Sequence, residues 1–141
     1  MFRHILVPVD LTEKNRSAIA AAADLAKAGS PEDQSSIALL HVIETIRDVP
    51  FEELADFYQR LEDKARTEMT ELADALADQG IAVEQHISYG NRAKRIVAHA
   101  GEHGSDLIVV STARLDQPEA SWTGIGHQVA LLAPCPVLLI K

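Results

Sequence analysis

Few side chains in this sequence combine the type and the spacing that chemistry requires. Asp10 follows directly on the apolar run Ile5-Leu6-Val7-Pro8-Val9. A carboxylate there can hold a ligand hydroxyl or amine, coordinate Mg²⁺, accept a phosphoryl group, or cap the turn that follows it. A phosphoacceptor would need a neighbouring acid, an aspartate after the third strand and a lysine after the fifth. The third candidate strand ends in Ser88-Tyr89-Gly90, and Asp10 has no acidic neighbour, so that chemistry is set aside. A phosphate-cradling loop after the first strand needs glycine, and Leu11-Thr12-Glu13-Lys14-Asn15 has none. No Walker-type or G-x-G-x-x-G loop occurs elsewhere. His99-Ala100-Gly101-Glu102-His103 spells the H-x-x-E-H of some zinc peptidases and puts two imidazoles on one helix face. Gly101 weakens that helix, Gly104 ends it, and 141 residues leave little room for a peptidase cleft. The pair therefore reads as polar residues near a helix C-terminus, where positive charge is favoured. His41, inside an apolar run, reads as a satisfied core or sheet-end histidine, and Cys135 as a small packed side chain.

The strongest local signal lies in the last third. An apolar run ends at Val110 and is followed by Ser111-Thr112-Ala113-Arg114, then Ser121-Trp122-Thr123-Gly124-Ile125-Gly126 ahead of a helical segment. Two glycines at a helix start leave backbone N–H groups open to an anion, and Ser111, Thr112, Ser121 and Thr123 add hydroxyl donors. The arrangement is either a phosphate site or a capped helix with a glycine-softened first turn.

The elements that must position these residues follow from hydrophobic period. Ile5–Val9, Ile37–Ile43, Leu107–Val110 and Val137–Ile140 are short apolar runs that suit strands buried on both faces. Ile81–Ile87 alternates and predicts a less buried strand. Between them the sequence predicts a helix over 13–28 capped by Thr12, with Ile19, Ala22, Ala23 and Ala26 as its stripe. A long helix follows Pro50 and carries Leu54, Tyr58, Leu61, Ala65, Met69, Leu72 and Leu76 at steps of three or four, ending at Gly80. Asn91 predicts a cap for a helix over 92–103, and a last helix covers about 124–132. The segments 30–35 and 111–122 read as loops. Strands alternating with helices predict an α/β fold: one Rossmann-like, doubly wound domain over 1–141, with a five-stranded, mainly parallel sheet and helices on both faces. Ligands in such folds sit beyond the carboxyl ends of the strands, which points to the segments beginning at Asp10, His41, Tyr89 and Ser111.

Composition bounds what such a site serves. Twenty-one acidic residues against 13 Lys and Arg give a net charge of −8, which argues against nonspecific nucleic-acid binding and against a polybasic membrane anchor. With 47% apolar residues the chain can bury a core. The single cysteine excludes an intramolecular disulfide framework and a cysteine-based zinc site. The longest apolar tail, Val129–Ile140, holds two prolines and is shorter than the roughly 20 residues a membrane helix needs. The N-terminal residues do not follow a signal-peptide layout. The expectation is a cytoplasmic protein. If the fifth strand lies at the sheet edge, Val137–Ile140 exposes an apolar ladder that a second copy of the chain can cover.

Taken in order, these segments resemble the universal stress protein family over the whole chain. The resemblance is carried by Ile5-Leu6-Val7-Pro8-Val9-Asp10, Leu39-Leu40-His41-Val42, Tyr89-Gly90 with Ile96-Val97, Asp106-Leu107-Ile108-Val109-Val110, and Ala133-Pro134-Cys135-Pro136-Val137-Leu138. It implies a Rossmann-like fold, a homodimer, and a regulatory or protective role in stress without turnover. It also implies that Asp10 and the backbone at Val9 and Val42 match positions that contact the base and ribose in ATP-binding members. Those members carry G-x2-G-x9-G-[S/T] after the fourth strand. Counted from Ser111, this chain has Ser111, Arg114, Gly124 and Ile125 at those places; counted back from Pro136, the last pair falls on Thr123 and Gly124. The first two glycines are absent either way. Ser111 and Arg114 restrict the close backbone approach that glycine allows, and the guanidinium of Arg114 either meets a phosphate or blocks its path. The candidate binding set is therefore Pro8, Val9, Asp10, Val42, Ser111, Thr112, Arg114, Thr123, Gly124 and Ile125. Its cofactor is ATP with Mg²⁺, AMP, another anion, or none. The alternatives are a slow Mg²⁺-dependent nucleotide hydrolase using Asp10, and a partner-binding protein with an empty nucleotide site.

Overall fold

The computed structural model describes residues 2–29, 32, 34–112 and 124–141. Within them the chain runs β1 (His4–Pro8), α1 (Arg16–Lys27), β2 (Ser36–Ile43), α2 (Ala55–Ala77), β3 (Ala82–Tyr89), α3 (Arg92–Glu102), β4 (Leu107–Ser111), α4 (Ile125–Leu132) and β5 (Val137–Ile140). The five strands form one sheet in the order β3-β2-β1-β4-β5. Every pairing is parallel, so the sheet expected to be mainly parallel is wholly so.

Successive strand residues point to opposite faces, and each face has its own helices to meet. Ile5, Val7, Ile37, Leu39, Leu107 and Val109 face one way, against Ala18 and Ala22 of α1 and Met69 and Leu76 of α2. Leu6, Leu40, Val42, Ile108 and Val110 face the other way, against Ala93, Ile96 and Ala100 of α3 and Val129 of α4. This is why the central strands read as unbroken apolar runs rather than alternating ones. Full burial of each of Ile5, Leu6 and Val7 contributes about 1.5–3 kcal/mol. Small alanines on α1 and α3 let those helices lie close to the sheet.

Several boundaries differ from the sequence reading, each for a local reason. The first helix does not begin at Glu13. Glu13–Asn15 form a 3-10 turn capped by Thr12, and α1 begins at Arg16, because the Asn15 side chain is used by the loop before it. The long helix likewise begins with a 3-10 turn, Phe51–Leu54. It ends at Ala77, and the backbone N–H of Ile81 then returns to the carbonyl of Leu76 across Gly80, whose φ of +82° only glycine takes without strain. The third strand runs two residues past Ile87, because β2 pairs with it in register from Ser36–Ala82 to Ile43–Tyr89. It is the less buried edge strand, as its alternation predicts. Asn91 caps α3 through Oδ1, which accepts from the Lys94 backbone N–H at 3.0 Å. The predicted loop after Ser111 lies outside the described residues beyond Thr112, as do parts of the loop over 30–35.

Candidate functional site

Chain order reverses at β1. From β1 the connections lead outward to β2 and β3, and β4 then joins the opposite side. Crossovers that diverge leave a crevice at the carboxyl ends of the two central strands. Here it is a cleft of about 80 Å³ lined by Pro8, Val9, Asp10, Asn15, Leu40, Val42, Arg92, Ile96, Val110, Ser111 and Ile125. A broader hollow of about 430 Å³ shares Asp10, Val42 and Arg92 with it and extends past His41, Glu44, Lys64 and Glu68. Val42, Ile96 and Ile125 give the narrower cleft an apolar lining, and Glu44, Lys64 and Glu68 give the broader hollow a charged one.

The loop that forms its rim is built around Asn15. The side chain is 5% exposed. Its Oδ1 accepts the backbone N–H groups of Asp10 at 2.8 Å and Leu11 at 3.1 Å. Its Nδ2 reaches Ser111 Oγ at 3.5 Å, linking the end of β1 to the end of β4. Leu11 has φ +66°, an uncommon conformation for a branched residue, and the two bonds to Asn15 hold the chain there. Asp10 adds a second tie: its Oδ1 accepts from Thr12 N at 2.9 Å and Thr12 Oγ1 at 2.6 Å. The turn-capping role weighed for Asp10 is therefore present, and it occupies one carboxylate oxygen. On the neighbouring strand, His41 Nδ1 lies 2.8 Å from the Val9 carbonyl. A carbonyl only accepts, so Nδ1 carries the proton, and His41 is the satisfied sheet-end histidine that its position suggests. The Val9 N–H donates to the Leu40 carbonyl at 2.8 Å.

Of the candidate set, the fold gathers Pro8, Val9, Asp10, Val42, Ser111 and Ile125 around one cleft. Gly124 is the N-cap of α4. Thr112 turns toward Gly126, where an added Cβ would come within 3.3 Å of Thr112 Cβ and 3.1 Å of Leu139 Cδ2. Gly126 thus lets α4 approach the sheet, a packing reason for that glycine. Arg114 and Thr123 lie outside the described residues. Cys135 packs against the apolar cluster under α3 and α4, and burial pushes its thiol pKa up.

Two polar lining residues were not singled out in the sequence. Asn15 was assigned to a helix interior, although asparagine is a poor helix former that favours turns and caps. Arg92 opens α3, where the helix dipole disfavours a cation, and that misplacement is a legible signal that the guanidinium serves something outside its own helix. It lies 3.8 Å from Glu44 Oε1 with both groups partly exposed, a loose ion pair. His99 and His103 are absent from this cleft; they lie toward the far end of α3 from Arg92.

A doubly wound parallel sheet with a cleft at its reversal point defines the class as an open, Rossmann-like α/β fold. The sequence matches the universal stress protein family over residues 1–141, and the chain belongs to that family. It is 27% identical over 152 residues to Universal stress protein YxiE of Bacillus subtilis (strain 168), with both chains covered in full. Among solved structures, universal stress protein UspA from Lactobacillus plantarum superposes with a TM-score of 0.84 at 25% identity, covering 99% of this chain and 98% of that one. A universal stress protein from Archaeoglobus fulgidus in complex with dAMP has a TM-score of 0.70 at 18% identity over 99% of this chain and 98% of that one. A universal stress protein in complex with cAMP has a TM-score of 0.71 at 17% identity, with 99% and 97% covered. At these last identities the likeness is one of fold. Among the described residues, no helix is long and apolar enough to cross a membrane.

Proposed function

We propose that this chain is a non-enzymatic regulatory or protective module of stress responses that binds an adenine nucleoside monophosphate in the cleft at Asp10. The observation that carries the reading is the unequal state of the two cleft ends. At the β1 end, Asn15 and Thr12 hold the Asp10 loop in one conformation while Asp10 Oδ2 stays out of those bonds, available to a ribose hydroxyl. The apolar floor of Val42, Ile96 and Ile125 suits a flat base. At the β4 end, the Thr112 N–H donates to the Ile140 carbonyl at 2.8 Å, and Ser111 pairs with Ile140 in the sheet. A strand backbone engaged in this way offers little to a long phosphate chain, and Ser111 and Arg114 stand where ATP-binding relatives have glycine. A ligand with one phosphate needs less of that loop, and two structures of like fold are complexes with dAMP and cAMP. Arg92, reaching the cleft from α3, is the cation placed to meet its charge.

The proposed assembly is a cytoplasmic homodimer of one-domain subunits joined through β5. That strand is a sheet edge. Leu138 on it is 38% exposed, and Leu131 and Leu132 just before it are 85% and 60% exposed. An uncovered apolar edge invites pairing, and a second copy supplies a matching one. Replacing Leu138 with Glu is expected to give a monomer in sedimentation at micromolar concentration; a wild-type monomer there would refute the dimer.

The nucleotide is tested on freshly purified protein, denatured and extracted beside a buffer control, with the supernatant resolved by chromatography and mass spectrometry. Near-stoichiometric AMP is the expected result. A blank confirmed by titration with AMP and ATP would favour a partner-binding protein with an empty site. Phosphate release that survives repurification and vanishes in Asp10→Ala would favour a hydrolase.

A further inference from the structure

Away from the cleft, β3 and α3 bring three histidines together. His99 sits in the last turn of α3, His103 is the C-cap one turn on, and His86 faces them from β3. Their ring centroids are 3.9 Å apart for His99–His103, 4.6 Å for His86–His99 and 5.2 Å for His86–His103. One nitrogen from each ring lies within 4.8 Å of the other two. We propose that these three imidazoles form a binding site for a divalent transition metal of the zinc class, with Glu84 as the carboxylate partner of His86.

Burial and hydrogen bonding argue for a ligand rather than for packing alone. His99 is only 6% exposed, yet its Nε2 has no hydrogen-bond partner. A buried polar nitrogen left unmatched is costly, and a ring of carbon would fill the same space without that cost. A metal ion supplies the missing partner. The neighbouring bonds also set the rings up for it. His103 Nδ1 lies 3.1 Å from the His99 carbonyl, so Nδ1 carries the proton and the lone pair of His103 is on Nε2. His86 Nε2 lies 3.2 Å from Glu84 Oε2, which leaves its lone pair on Nδ1. A ligating histidine whose other nitrogen is held by a carboxylate or a carbonyl is the usual support for a metal centre.

Three imidazole nitrogens and an open fourth position suit Zn²⁺, with Cu²⁺ and Ni²⁺ as chemical competitors. Zn–N bonds of about 2.1 Å place ligand nitrogens about 3.4 Å apart in a tetrahedron, so the rings must close by up to about 1.4 Å from their present spread of 4.8 Å. The His99–His103 stack, now within 14° of parallel, must also open, because each lone pair lies in its ring plane. His103 is exposed and His86 half-buried, which leaves room for both movements. A metal there would pin the last turn of α3 to the edge strand.

The test uses untagged full-length protein, stripped with chelator, dialysed, and titrated with ZnCl₂ by calorimetry and with CoCl₂ by visible absorption. One site per chain is expected, with tetrahedral cobalt bands that zinc abolishes. His103→Ala, at an exposed position, is expected to weaken zinc by about 100-fold or more. His99→Phe keeps an aromatic ring in the stack and is expected to lose the cobalt bands while staying folded by circular dichroism. Absence of saturable zinc binding by the wild type, or unchanged affinity in both variants, would overturn the assignment.

Discussion

The cleft at Asp10 and the histidine cluster at His99 are both polar sites inside an apolar fold, and they are built in opposite ways. In the cleft each polar group near the loop finds a protein partner: Asn15 serves two backbone amides and reaches Ser111, Asp10 serves Thr12, and His41 serves Val9. In the cluster the most buried ring nitrogen finds none. The first arrangement holds a backbone shape and leaves the second carboxylate oxygen of Asp10 outside those bonds. The second holds an unmet ring nitrogen. Satisfied polar groups specify structure, whereas unsatisfied ones point to something outside the chain. The same kind of substitution should therefore have opposite signs in the two places.

The largest effect is expected at Asn15. Asn15→Leu leaves the amides of Asp10 and Leu11 unmet and frees Leu11 from its positive φ. A loss of about 2–3 kcal/mol in chemical denaturation is expected, together with a drop of at least tenfold in AMP affinity. Asp10→Ala removes only the tie to Thr12 and one ligand contact. It should cost about 1 kcal/mol of stability and about tenfold in affinity. His99→Phe reverses the sign: in chelator, the variant should be as stable as the wild type or more so, by up to about 1 kcal/mol, because it removes an unmet nitrogen and keeps the ring. A loss of several kcal/mol there would show that the histidine is satisfied after all and would erase the contrast. The smallest effect is expected at Gly126→Ala. Helix propensity gains what the 3.1 Å approach to Leu139 costs, so the melting temperature should move by only a few degrees.

Much of this was legible in the sequence because it rests on periodicity. The apolar runs at Ile5, Ile37 and Leu107 could only be strands covered on both sides, and Thr12, Asn91 and Gly80 marked turns where the chain turns. The gathering of Pro8, Val9, Asp10, Val42, Ser111 and Ile125 followed from strand ends and from family resemblance. Asn15 and Arg92 carry a local signal, a turn-former and a cation at a helix start, but the group each side chain reaches, Ser111 or Glu44, is not encoded by spacing along the chain. The histidines illustrate the same limit. The i, i+4 pair was visible as a motif and read as a helix-end feature, but the third member sits on β3, and only the β3–α3 packing brings His86 to it.

The central claim is the proposal that the cleft at Asp10 binds an adenine nucleoside monophosphate. The most direct measurement is calorimetric titration of nucleotide-free protein with AMP and, separately, with ATP and Mg²⁺. Saturable 1:1 binding of AMP at least as tight as that of ATP, weakened in Asp10→Ala, is the predicted result. ATP binding tenfold tighter than AMP would show that the altered loop still cradles a triphosphate, and no binding of either would contradict the account.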